Sequence, residues 1–200
     1  MRLRPSDLAT NSVASYQLRN RATVGGNLCN ASPAADVAPA ALVLGAQFLL
    51  YGLKGERTVP ASEFFVGPGQ TALQTGEFMT AIRFPKPPSV NAGRYLKLGR
   101  NKVGDLAIVG VAVFGFIDRA GQHYRIGLAS VAPTPLRALE AEEALPPNPT
   151  EDDLARAAEK ARQAASPIDD VRASAAYRRA MVQALTLRGL RQVWEELSKT

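Results

Sequence analysis

The stretch Thr23-Val24-Gly25-Gly26-Asn27-Leu28-Cys29-Asn30-Ala31-Ser32-Pro33-Ala34-Ala35-Asp36 constrains this chain more than any other. Two adjacent glycines free the backbone for positive φ and for close approach to a ligand. Successive N–H groups in such a turn form an anion-binding concavity. Thr23, Asn27, Asn30 and Ser32 crowd polar side chains into the same few turns. A helix is expected to follow, with Ser32 or Asp36 as its N-cap and Pro33 or Pro39 in its first turn. Uncharged donors beside such a turn suit a pyrophosphate and a polyol chain, and a nearby carboxylate suits a hydroxyl or a ring N–H. The plainer alternative is a glycine-rich turn that holds no ligand.

Composition narrows the chemistry. The chain has 200 residues and is 46% hydrophobic, which is ordinary for one globular domain or two small ones. No run approaches the ~18 consecutive apolar residues of a membrane span. Met1-Arg2-Leu3-Arg4-Pro5 has no apolar core after it, which argues against a secretory signal, and a cytoplasmic location is expected. Cys29 and His123 are the only cysteine and histidine, which excludes an internal disulfide and an iron–sulfur cluster or zinc site carried by this chain alone. The net charge is +6, but the basic residues are scattered. They form loose groups at Arg94, Lys97, Arg100 and Lys102, and at Arg172, Arg178, Arg179, Arg188 and Arg191, without interleaved aromatics. A solvated surface is expected rather than a nucleic-acid site.

The remaining order reads as follows. Leu8, Val13 and Leu18 are spaced too irregularly for a helix. Val37 to Leu44 reads as a helix ended by Gly45. Ala46 to Tyr51 and Glu56 to Val59 read as paired strands, and Glu77 to Phe84 as another. Pro85-Lys86-Pro87-Pro88-Ser89 stops that strand and marks a boundary, giving domains of 1–88 and 89–200. Gly93 to Leu98, Asp105 to Ile117 and Gln122 to Val131 read as a three-stranded antiparallel sheet. Its middle member is apolar on both faces and therefore central. Thr150 and Asp153 form a capping box, with Leu154, Ala157, Ala158 and Ala161 on one helical face. Ser174 caps a last helix whose expected buried stripe is Tyr177, Met181, Ala184, Leu185 and Trp194.

The run Thr-Val-Gly-Gly-Asn, then Asn-Ala-Ser-Pro, then Asp, resembles the second flavin-binding loop of the FAD-binding, medium-type subunit of molybdenum hydroxylases of the carbon monoxide dehydrogenase and xanthine dehydrogenase type. Further matching pieces follow in order: Tyr95 to Arg100, Asp105 to Val109, Gly127 to Pro135, Ser166 to Arg172 and Ser174 to Arg179. The resemblance implies an α+β chain, the second subdomain of a PCMH-type FAD-binding fold followed by a C-terminal domain of three-stranded antiparallel sheet packed with helices. It implies FAD as cofactor, with Thr23, Val24, Gly25 and Gly26 at the pyrophosphate or ribityl chain and Asn27 and Asp36 in polar contact with the flavin. Met79 would pack on the isoalloxazine, Tyr95 would sit over the ring, and Lys97 would approach its polar edge, where an ammonium stabilises negative charge. It also implies a small [2Fe–2S] subunit and a large subunit carrying the molybdenum cofactor as partners, with self-association open, and electrons passing from the clusters through FAD to an acceptor. The family's first glycine loop, with a pattern like Ala-Gly-Gly-Gln-Ser-Leu, is not in these residues, so half of the FAD site is expected to lie outside them. The second expectation is a truncated, flavin-free docking or assembly module for the same partners.

Other readings of these side chains stand beside the resemblance. Lys97 alone reads as an exposed strand lysine, Asp36 as a helix cap, Met79 as core, and Asp105 as a partner of Arg100 or Lys102. Cys29 has no charged neighbour in sequence and reads as a buried structural thiol.

Overall fold

A computed structural model describes residues 5–101 and 104–199, the first four of these by backbone alone. Lys102 and Met1 to Arg4 lie outside the described residues. Helix α1 (Pro5–Ser12) and the single turn α2 (Tyr16–Arg19) open the chain, where the irregular apolar spacing gave no helix. What orders this segment is partly tertiary. Arg19 Nη1 donates to the carbonyls of Val13 and Ala14 at 2.8 and 2.9 Å, and the Lys97 ammonium donates to the Ser12 carbonyl at 3.0 Å. Both cations satisfy backbone acceptors that the end of α1 would otherwise leave to water.

The glycine pair does not form the expected positive-φ turn. It lies inside α3 (Val24–Cys29), whose N-cap is Thr23. Thr23 Oγ1 accepts from Gly26 N–H at 2.9 Å, and a Cβ on Gly26 would lie 2.9 Å from that same oxygen. The glycine is needed for the tightness of the cap. The left-handed conformation falls instead on Ala31, with φ 46°. Ser32 accepts from Ala34 N–H in a local turn rather than capping a helix. Helix α4 (Val37–Val43) begins after Asp36, whose side chain makes no cap bond, and all seven of its residues are buried.

The N-terminal sheet has the order β2-β1-β5, all antiparallel: β1 (Gln47–Gly52) pairs with β2 (Gly55–Pro60) as the sequence suggests, and β5 (Phe78–Arg83) adds on the other edge of β1. Between them come the turn α5 (Ala61–Phe64) and the small hairpin of β3 (Phe65–Gly67) and β4 (Gln70–Thr71). Phe48, Phe64 and Phe65 meet edge to face in this core, with Phe48 and Phe64 centroids 4.7 Å apart.

The C-terminal sheet has the order β6-β7-β8-β9, from β6 (Val90–Leu98), β7 (Val109–Asp118), β8 (Gly121–Ala129) and β9 (Leu136–Arg137). The two-residue β9 is an addition to the expected three strands: the prolines at 133 and 135 end β8's run, yet the chain returns to pair once more. β7 is central and buried along its first seven residues, as its doubly apolar pattern implies. It begins at Val109, not Asp105. Asp105 Oδ2 instead accepts from the N–H groups of Arg100 and Asn101, and this local bonding competes with strand pairing.

Helices α6 (Leu139–Glu143), α7 (Glu151–Ala164) and α8 (Ala175–Leu197) cover one face of this sheet: α8 lies on β6 and β7, α6 on β8, and α7 spans both helices. The Thr150–Asp153 capping box and the Ser174 cap are present, and Leu154, Ala157, Ala158 and Ala161 are buried. The fully buried stripe of α8 runs one position away from the expected one, through Arg178, Val182, Thr186, Gly189, Leu190, Val193 and Leu197; Met181, Leu185 and Trp194 pack half-buried against the core, while Tyr177 and Ala184 are exposed. Helix α4 covers the opposite face, where Val43 packs with Ala112 and Phe114. It thus joins the two halves.

Candidate functional site

The polar residues singled out above converge where the end of α1, the cap of α3, the start of α4 and the end of β6 meet. Two adjoining clefts open there and share Asn11. One, of about 370 Å³, is lined by Thr23, Val24 and Asn27 together with Tyr16, Arg19 and Val37. The other, of about 510 Å³, is lined by Ser12, Lys97, Arg100 and Asp105. Both volumes fall within the ~300–1,000 Å³ usual for small-molecule sites.

In the first cleft, α3 presents its capped end, and Asn27 Oδ1 is buried without a hydrogen-bond partner among the described residues. Such an acceptor is costly unless something donates to it. Gly25 and Gly26 support the helix rather than line the cleft. The position a Cβ would take on Gly25 is 3.9 Å from Met79 Sδ, so Met79 packs behind α3 on β5. Cys29, on the same helix, is half-buried, and burial pushes its thiol pKa up.

Lys97 is held between three elements. Its ammonium donates to Asp36 Oδ2 at 2.8 Å and to the Ser12 carbonyl at 3.0 Å. Tyr95 Oη donates to Asp36 Oδ1 at 2.7 Å. Asp36 is therefore neither a plain helix cap nor a lining residue: its side chain is 7% exposed and accepts from both partners. Burial pushes the Asp36 carboxyl up, while the hydrogen bonds from Lys97 and Tyr95 pull against that. Burial, reinforced by the neighbouring Asp36 charge, raises the Tyr95 phenol well above its usual value.

The structure thus brings Thr23, Val24 and Asn27 to one cleft and Lys97 to the other, with Asp36 and Tyr95 beneath and Gly25, Gly26 and Met79 behind. Sequence reasoning missed Ser12, Tyr16 and Arg19, which line or pin the same walls. The Ser15 cap, accepting from Leu18 N–H, was the local signal for that turn. Among the described residues no group of three or more His, Cys, Asp or Glu side chains could hold a metal, and no helix is long and apolar enough to cross a membrane.

Comparison with known proteins gives two domain matches in series. Residues 3–87 match the FAD binding domain in molybdopterin dehydrogenase, and residues 94–193 match the CO dehydrogenase flavoprotein C-terminal domain. The carbon monoxide dehydrogenase medium chain of Hydrogenophaga pseudoflava is 36% identical over 190 residues, covering 93% of this chain and 65% of that protein. The putative xanthine dehydrogenase FAD-binding subunit of Escherichia coli K12 is 32% identical over 181 residues, covering 89% of this chain and 62% of that one. This chain therefore spans under two thirds of the length of these relatives. A solved structure of the Hydrogenophaga pseudoflava carbon monoxide dehydrogenase lacking the Mo-pyranopterin moiety superposes with a TM-score of 0.90 at 36% identity, covering 95% of this chain and 67% of that one.

Proposed function

The chain belongs to the family of FAD-binding subunits of molybdenum hydroxylases, and on that premise we propose that it holds part of an FAD site in a multi-subunit cytoplasmic dehydrogenase. The observation that carries the reading is the convergence of Thr23 and Asn27, from α3 and its cap, and Lys97, from β6, on two clefts that share Asn11. The residues fit the cofactor. Asn27 Oδ1 is an unpartnered buried acceptor beside the first cleft, and Lys97 supplies a positive charge at the second.

In this reading Thr23, Val24 and Asn27 face the pyrophosphate and ribityl chain, with Gly25 and Gly26 allowing α3 its tight cap. Met79, behind α3 on β5, backs the wall that faces the cofactor. Lys97 meets the polar edge of the ring, and Asp36 and Tyr95 support it from below. When bound, FAD supplies the capacity to take electrons from [2Fe–2S] clusters of a small subunit, fed by a molybdenum cofactor on a large subunit, and to give them to an acceptor. The protein's part is to orient the cofactor, exclude water around it, and hold an ammonium where negative charge develops. With the division at residues 88 and 89, the first half supplies the α3 wall of the site and the second half supplies Lys97.

The test is anaerobic mixing of the FAD-loaded chain with the reduced [2Fe–2S] subunit, followed through the flavin absorbance. Bleaching that needs both proteins supports the route. Complex formation without bleaching favours a docking role.

A further inference from the structure

Lys97 lies on a strand, where a long side chain has many rotamers and a strongly hydrated charge. Its position is nevertheless fixed, because its ammonium reaches the Asp36 carboxylate and the last carbonyl of α1 at once. The second oxygen of Asp36 is fixed in turn by Tyr95, two residues before Lys97 on the same face of β6. The strand therefore holds one carboxylate with two of its own side chains. Space for this is built into the neighbouring strand. Gly110 lies opposite Lys97 in the β6–β7 register, and a Cβ there would come within 2.7 Å of Tyr95 Oη. An alanine at 110 would push the hydroxyl off its partner.

We infer that Tyr95 is a positioning residue for the Lys97 ammonium, acting through Asp36, in the cavity that Gly110 leaves for its hydroxyl. Tyr95 is packed beneath the cleft, with its hydroxyl bonded to Asp36. Without the hydroxyl, the Asp36 carboxylate has one anchor fewer and turns within its site. Lys97 then loses its fixed place at the cleft floor. The meaning of this for electron transfer rests on the flavin reading above, but the geometry of the relay does not need a ligand.

The experiment is competitive amine labelling of the full chain at one mildly alkaline pH, with each lysine followed by peptide mass spectrometry. Lys54 and Lys86 are exposed and serve as internal references. Tyr95→Phe is expected to raise the labelling rate of Lys97 by about tenfold, the scale of a hydrogen bond to a charged group, and to leave Lys54 and Lys86 unchanged. Gly110→Ala keeps the tyrosine and is expected to act in the same direction, which covers a phenylalanine variant that fails to fold. In an Asp36→Asn background, Tyr95→Phe is expected to add nothing, because the relay is already cut. Unchanged Lys97 labelling in both Tyr95→Phe and Gly110→Ala overturns the inference. So does an equal rise at all three lysines, which marks a purely structural hydroxyl, or an equal effect of Tyr95→Phe with and without Asp36. Titration of the same variants with FAD separates the two readings. If the wild-type chain shows no flavin binding, the functional proposal fails while the labelling still decides the role of Tyr95.

Discussion

The two sheets of this chain are built from the same antiparallel pairing and covered differently. β7 in the C-terminal sheet is enclosed between α8 on one face and α4 on the other. β5 in the N-terminal sheet leaves Phe78, Thr80, Ala81 and Arg83 exposed, and only Met79 and Ile82 turn partly inward. The C-terminal half is also braced by a buried charge network. Arg178, 2% exposed, donates to the carbonyls of Ile108 and Ser130 and to Asp170, which Arg172 also holds. Buried polar atoms without a partner among the described residues remain in both halves, at Ser130 Oγ, Arg178 Nε and Thr186 Oγ1 and at Asn27 Oδ1, the last beside the cleft next to α3. The fully covered sheet is the rigid support against which the less covered half presents its cleft.

The contrast is broken most forcefully at Arg178. Arg178→Met leaves Asp170 and two carbonyls short of a donor and is expected to cost about 3–5 kcal/mol, read as a lower denaturation midpoint. An unchanged midpoint would mean that the C-terminal half is not held by this network.

The junction comes next. A Cβ on Gly127 would lie 2.6 Å from the Pro39 carbonyl oxygen and 3.0 Å from Val43 Cγ1, so Gly127→Ala must push α4 off β8. A loss of about 1–3 kcal/mol is expected, as for other overpacked cores. Hydrogen exchange is expected to show loosening on both sides of α4. Loosening of one side alone would show that α4 does not couple the halves.

Thr23→Ala is a smaller perturbation. It removes the cap of α3 and is expected to cost about 1 kcal/mol, with faster exchange confined to α3. Faster exchange across β7 would contradict the separation between the halves.

The smallest effect is a pH dependence. The Arg57 hydrogen bond, helped by the Gln74 N–H, lowers the Glu77 carboxyl from 4.5 to about 2. A depressed carboxylate stabilises the fold above its unfolded value and loses that contribution as it protonates. The stability difference between wild type and Glu77→Gln is therefore expected to be present above pH 4.5 and to fade as the pH falls toward about 2. Asp170, where burial is outweighed by the Arg172 N–H and the Arg172 and Arg178 guanidiniums, is also held well below the usual carboxylate range. Thermal melts across that interval check the sign, and a difference that grows toward low pH would refute it.

The longer strands and α7 were readable because their patterns were local: the Gly52–Gly55 turn, the proline run at 85–88, the doubly apolar β7 and the Thr150–Asp153 box each carry their own signal. What failed was set by distant partners. α1 lacked apolar period, yet its last carbonyl is bonded to Lys97, 85 residues away. The face of α8 was misplaced by one residue because Arg178, Thr186 and Gly189 lie in its buried stripe, and nothing in a hydropathy pattern marks an arginine paired with Asp170 as interior. At the site, the sequence pattern did not reveal how the candidate residues group. Asp36 reads as a cap, and only the fold sets it against Tyr95 and Lys97.

The central claim is that Thr23, Asn27 and Lys97 act together on one flavin. The direct measurement is a fluorescence titration of the purified chain with FAD, repeated with Asn27→Ala and Lys97→Met. Saturable quenching is expected, weakened by about tenfold or more in each variant, since each removes a hydrogen bond or a charge from the cofactor. Quenching that is absent, or saturable but identical in all three proteins, would contradict the account.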